Sequence, residues 1–101
     1  MKFINLTPHE IILCGRIIPS TGLARCDSVV EKVMEIDSVC VNRRSFGEVT
    51  GLPEPERDTV YIVSRIVAEA VSGRRNDVFV VDETVRDENG KIIGCKSLAR
   101  V

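Results

Sequence analysis

The chain has 101 residues, 44% of them apolar and 29% charged, with a formal net charge of −1. That length suits one domain, residues 1–101, and that apolar content argues against disorder. The near-zero charge argues against a basic coat for duplex nucleic acid or for a membrane surface. Aromatic residues make up only 4%, with no Trp, so Val, Ile and Leu must fill the core. Most of these are β-branched, which favours strands.

Phe3 to Leu6 reads as a first strand. Pro8, in Thr7-Pro8-His9-Glu10, cannot donate to a ladder, so a bend is expected there. Ile11 to Cys14 is a second apolar run, and Gly15-Arg16 turns into Ile17-Ile18. Pro19-Ser20-Thr21-Gly22 is a turn signal before a short strand, Leu23 to Cys26. Val29 to Ile36 stays open between helix and strand. Asp27 or Ser28 could cap a helix, while the β-branched content tilts the balance toward strand. Val39 to Val41 and Phe46 to Val49 read as strands joined through the polar Asn42-Arg43-Arg44-Ser45, a hairpin or bulged connection. Gly51 to Asp58, with two prolines and alternating acids, is a surface loop.

Thr59 to Val63 is a strand, and Ser64 is placed to cap a helix. Ile66, Val67, Ala70 and Val71 follow at helical spacing, and Gly73 is a natural stop. So short a helix must lean on a sheet. Val78 to Val81 is a strand, and Asp87-Glu88-Asn89-Gly90 between Thr84–Arg86 and Lys91–Cys95 is a hairpin turn. The expected fold class is α+β, a mostly antiparallel β-sheet with one short helix packed on it.

No apolar run approaches the ~18 residues of a bilayer span. Met1 to Thr7 lacks the apolar stretch and cleavage site of a signal peptide, so a cytoplasmic protein without membrane partners is expected. The four cysteines form no CxxC pair and read as reduced, small apolar residues. Their spacing with His9 matches no zinc pattern. His9 is the one histidine, and no nucleophile lies in a recognisable elbow. GxGxxG and GxxxxGK[ST] are both missing. Neither a catalytic set, nor a metal, nor a cofactor is therefore expected.

What remains is arginine, the side chain best shaped to clamp phosphate and to stack on a base. Arg25 follows a strand, Arg43 and Arg44 lie in the polar connection, and Arg86 precedes the Asn-Gly turn. Arg65 sits in a first helical turn, where it opposes the helix dipole, and a bound anion would relieve that. Arg74 and Arg75 near the helix end suit the dipole alone. Asn76 could read an adenine edge or ribose hydroxyls. Tyr61 and Phe46 are the aromatics available to stack a base or, equally, to fill the core.

Several phrases occur together: Asn5-Leu6-Thr7-Pro8-His9-Glu10-Ile11, Ile18-Pro19-Ser20-Thr21-Gly22-Leu23-Ala24-Arg25, Phe46-Gly47-Glu48-Val49-Thr50-Gly51-Leu52-Pro53, Tyr61-Ile62-Val63-Ser64 and Asp87 to Gly94. In these the chain resembles a family of small bacterial and phage proteins and, within it, the first type of Thoeris anti-defence protein. The resemblance implies a non-catalytic phage sponge. Such a protein holds a cyclic ADP-ribose isomer, or in some members cyclic oligonucleotides, in pockets at homo-oligomer interfaces. It also implies a stacking aromatic and phosphate-binding arginines. Arg25 and Tyr61 lie inside matched phrases and Arg86 precedes one; Arg65 and Asn76 join them on chemistry. A small nucleotide-handling enzyme and a phage structural or interaction protein are the competing classes.

Overall fold

The computed structural model describes residues 1–101. In chain order the elements are β1 (Lys2–Asn5), β2 (Ile11–Leu13), β3 (Arg16–Ile18), β4 (Arg25–Ile36), β5 (Val39–Thr50), β6 (Thr59–Ile62), α1 (Arg65–Ala70), β7 (Val78–Arg86) and β8 (Ile92–Ala99). Six strands form one sheet in the order β1-β6-β7-β8-β2-β3, and β4 pairs only with β5. The fold is α+β, with one short helix on the sheet. The two longest ladders, β4–β5 and β7–β8, are antiparallel. The parallel pairings β1–β6, β6–β7 and β2–β8 are short. No helix is long and apolar enough to cross a membrane.

Strand β6 lies inside the sheet and is covered on both faces, so it reads as a continuous apolar run. Tyr61 and Val63 point to the helix side and join Leu6, Ala24, Val67, Ala68, Val71, Val78 and Val80. Ile62 points the other way and joins Ile11, Leu13, Ile18 and Cys95. The helix follows Ser64 as the apolar spacing predicts, but Ser64 makes no side-chain cap bond. Gly73 takes a φ of 82° just beyond it.

The edge strands β1 and β3 approach each other, so the sheet curls toward a barrel. A bridge from Asn5 to Ser20 closes that rim, with Thr21 N–H donating to Asn5 O at 3.0 Å. Asn5 is fully buried and uses both ends of its amide. Its Nδ2 donates to His9 O at 2.8 Å and Ile18 O at 3.1 Å, and its Oδ1 accepts from Thr7 N–H and Thr7 Oγ1. Ser20 Oγ donates to Thr7 O at 2.6 Å. The Asn5 to Glu10 phrase thus folds as a stapled bend, with Asn5 inside rather than on a surface.

Strands β4 and β5 form a two-stranded arm of 12 residues each, and none of those residues is buried. The molecule therefore extends 51 × 39 × 20 Å, with a radius of gyration of 16.4 Å, against about 13 Å for a compact chain of this length. Val29 to Ile36 is strand. The expected connection at Asn42 to Ser45 is not a turn: β5 runs unbroken through it, so Arg43 and Arg44 are strand residues paired with Glu31 and Val30. The reversal falls instead at Asp37-Ser38, both at positive φ (47° and 65°), the two-residue hairpin geometry that matches strand twist. Cys26 and Val49 at the arm's base pack on the core.

The Asn89-Gly90 turn forms as expected. Asp87 N–H donates to Lys91 O at 2.9 Å, and the Asp87 carboxylate accepts from Asn89 and Lys91 N–H. Only Gly90 of the pair needs positive φ (81°). Gly51, at φ 79°, is fixed by space as well, because a Cβ there would fall on Leu23 O.

Candidate functional site

The seam between β2 and β8 determines where the surface opens. Their parallel ladder holds one pair, Leu13↔Cys95. Cys14 extends it, its N–H donating to Cys95 O at 3.0 Å and its Sγ to Lys96 O at 3.0 Å. At the other end of β2, His9 to Ile12 face Lys91 to Gly94 across a trough of about 840 Å³, with Val81 and Thr84 of β7 on its wall. That is within the usual size of a small-molecule site.

Its wall is aliphatic. Ile12, Val81, Ile92 and Ile93 are between 37% and 51% exposed, well above what a sheet face buried in its own core would show. Gly94 lets the seam close, since a Cβ there would lie 3.1 Å from Ile12 O. A smaller recess of about 280 Å³ shares Ile11 and Val81 with the trough and adds Thr7, Val63, Ser64, Arg65 and Val80. Arg65 and Ser64 line the recess only, and Lys91 lines the trough only. Arg86 is the register partner of Ile92 but does not line the trough. The Asn5–Thr7 network holds the bend that carries His9 and Glu10 to the rim.

Five residues are expected from the sequence to contact a ligand, and the structure does not gather them into one site. Arg65 lines the recess and forms an ion pair with Glu69, Nε to Oε1 at 3.1 Å. That partner, one turn on, already answers the charge an anion was invoked to answer. Arg86 donates from Nη1 to Gly90 O at 2.7 Å, within its own hairpin. Arg25 lies at the base of the arm, opposite Thr50. Asn76 lies beyond the helix, away from both hollows, where its carbonyl accepts from Arg100 Nη2 at 2.8 Å.

Tyr61 corrects the expectation of a stacking aromatic. It is 0% exposed, its ring fills the core, and its hydroxyl donates to Glu54 O at 3.1 Å. No base can reach it without opening the core. Burial first, then Glu56 and Asp77, push its ionisation above 10.0. Phe46 is 49% exposed on the arm.

The strongest charged contact escapes sequence reading. Arg75 grips Asp77 with two parallel bonds, Nε to Oδ1 and Nη2 to Oδ2, both 2.9 Å. The side chains are 16% and 14% exposed, and the guanidinium lies 5.8 Å from the Tyr61 ring centroid. The bond to Arg75 holds the Asp77 carboxyl below its ordinary 3.8, against the opposing effect of burial. Arg75 and Asp77 are two apart in sequence, a spacing that carries no helical or strand-pair signal. Lys91 and Ile93 also escape it as lining residues, because in sequence they mark only a hairpin flank.

Glu54, Glu56 and Asp58 do not combine into a cation site, and no group of three or more His, Cys, Asp or Glu is placed to hold a metal ion. Comparison with protein-family models, with curated proteins and with solved structures finds no match to the chain.

Proposed function

We propose that this chain binds a small anionic ligand of the nucleotide class in the trough and holds it unchanged. It would act as a sponge for a cyclic nucleotide immune signal, such as a cyclic ADP-ribose isomer or a cyclic oligonucleotide, and so counter bacterial anti-phage defence. One observation carries this reading: an aliphatic trough with the Lys91 ammonium on its lining, sharing Ile11 and Val81 with a smaller recess lined by Arg65. Aliphatic walls suit the flat face of a base, and the Lys91 ammonium suits a phosphate beside it.

Sequestration needs tight binding, and a nanomolar dissociation constant corresponds to about −12 kcal/mol. Titration calorimetry with cyclic ADP-ribose isomers and cyclic oligonucleotides tests this directly. Binding at micromolar concentration or tighter is expected, weakened about tenfold by Lys91→Ala, the loss of one charge-assisted contact. No heat with any of these ligands rejects the reading. Heat-denaturing the complex separates sponge from enzyme: intact ligand is expected, and a modified product would assign an enzyme acting on a nucleotide. A second reading, an interaction protein of a phage particle, draws on the exposed arm and predicts no ligand in the trough.

A further inference from the structure

The arm offers an apolar face that its own chain leaves uncovered. Strand β5 alternates regularly from Val39 to Phe46, so Val39, Val41 and Arg43 share one face. Their register partners Ile36, Met34 and Glu31 stand on that same face. The face is therefore layered from the tip inward: Ile36 with Val39, Met34 with Val41, then Glu31 with Arg43. Ile36, Met34 and Val39 keep 55%, 54% and 62% of their surface open to water. A lone two-stranded ribbon is at best marginally stable in water, so this one gains from being covered.

We infer that this face is a two-fold interface with a second copy of this chain, two arms lying face to face with their tips pointing the same way. Charge selects both the partner and the direction. A two-fold axis along the strands lays β4 of one copy over β5 of the other at the same level. Apolar layers then meet apolar layers, and Glu31 of each copy meets Arg43 of the other. Crossing the arms tip to base about the charged layer would set Glu31 on Glu31 and Arg43 on Arg43, which is repulsive. A face that carries both members of a charge pair at one level is self-complementary, as a two-fold interface requires.

The area is sufficient for a weak dimer. Twelve residues at ~3.3 Å give a ribbon about 40 Å long and roughly 10 Å wide, so two faces bury on the order of 800 Å² before side-chain relief is counted. A stable interface usually clears about 1,000 Å², so an area on the order of 800 Å² suits only a weak, transient dimer. Self-association is therefore to be measured at a concentration where a weak dimer would form. The arm and the trough use different strands, so this interface neither requires the nucleotide reading nor fails with it.

Light scattering at a chain concentration on the order of 100 µM is expected to give twice the monomer mass of 11.2 kDa. Glu31→Arg and Arg43→Glu should each weaken self-association at least tenfold. Mixed in equal amounts, the two variants should pair with each other. One copy then presents two cations at the charged layer and the other two anions, so both cross-contacts are attractive again. A contact confined to one chain could not be rescued by mixing. Met34→Lys gives a second route to the same loss, and circular dichroism should show all three variants folded. A monomeric parent, single variants that associate like the parent, or a mixture that stays monomeric would each overturn the inference.

Discussion

The body and the arm are built from the same kinds of residue, yet only one of them has an interior. In the body, Tyr61, Ile62, Val67 and Asn5 are fully shielded, and β6 is covered on both faces. In the arm, Val29, Val30, Met34, Ile36, Val39 and Phe46 all remain substantially exposed. β-Propensity is high in both, so propensity does not explain the difference. What differs is whether a second layer is within reach. The body sheet curls and takes a helix on one face, whereas the arm projects past everything that could cover it. Strand formation and stabilisation are thus separate matters, and the second depends on burial.

This contrast can be broken most sharply at Tyr61. Tyr61→Ala should cost about 4 kcal/mol, from the cavity and the lost ring contacts. Chemical denaturation monitored by circular dichroism would check it, and a cost below about 1 kcal/mol would contradict the burial described. Asn5→Ala should cost about 3 kcal/mol, because it strips partners from His9 O, Ile18 O and the Thr7 amide at once. The same denaturation series reads it, and Asn5→Asp should not rescue it, since an ionised carboxylate cannot donate to two carbonyls.

The Arg75–Asp77 pair comes next. Asp77→Asn should destabilise by about 2 kcal/mol, since it removes one partner of a mostly buried, two-bond contact. The pair also fixes an acid response. The folded Asp77 carboxyl sits below its ordinary 3.8, so its contribution is whole above that value and is lost as pH falls through the folded one. The parent should lose stability into acid more steeply than Asp77→Asn does. At the alkaline end the sign reverses. Tyr61 ionises above its ordinary 10.0 in the folded state, so unfolding is favoured as pH rises past that value. Tyr61→Phe, which loses one hydroxyl bond and about 1 kcal/mol, should flatten that limb. Tyr61 is the one tyrosine in the chain, so its ultraviolet titration is read without overlap.

Substitution in the arm should do least. Met34→Ser, measured at concentrations where the chain is monomeric, is expected to shift stability by no more than about 0.5 kcal/mol. Raising the concentration sharpens the contrast, because the same change should then lower the midpoint relative to the parent as dimer formation adds its share. An arm variant that unfolds the monomer as severely as Tyr61→Ala would show that arm and body are one cooperative core.

Legibility follows the same division. The helix between Ser64 and Gly73 is readable because its apolar positions recur at 3.6-residue spacing and glycine marks its end. The Asn89-Gly90 hairpin is readable because one of its residues must take positive φ. The reversal at Asp37-Ser38 is not, since neither residue is glycine and the flanking strands lack an alternation that burial would impose. The polar run Asn42 to Ser45 looks like a connection for the same reason: an uncovered strand tolerates charge on either face. Of the residues named from chemistry, Arg65 lines the smaller recess, while Arg86 lines neither hollow. Arg25 and Asn76 lie away from both, and Tyr61 is interior.

The sequence by itself determined that this is a strand-rich chain with one short helix, and it offered arginines, Asn76 and two aromatics, Tyr61 and Phe46, as candidate binding chemistry. Periodicity, turn residues and composition are local quantities and survive without coordinates. Only the tertiary structure decided that Tyr61 faces inward, that Asn5 staples a bend, and that the β2–β8 seam opens into a trough. Likewise, only the tertiary structure showed that β4 and β5 leave the body as an uncovered arm. Each of these depends on which distant segments meet, and long-range pairing leaves no periodic trace in the strands it joins.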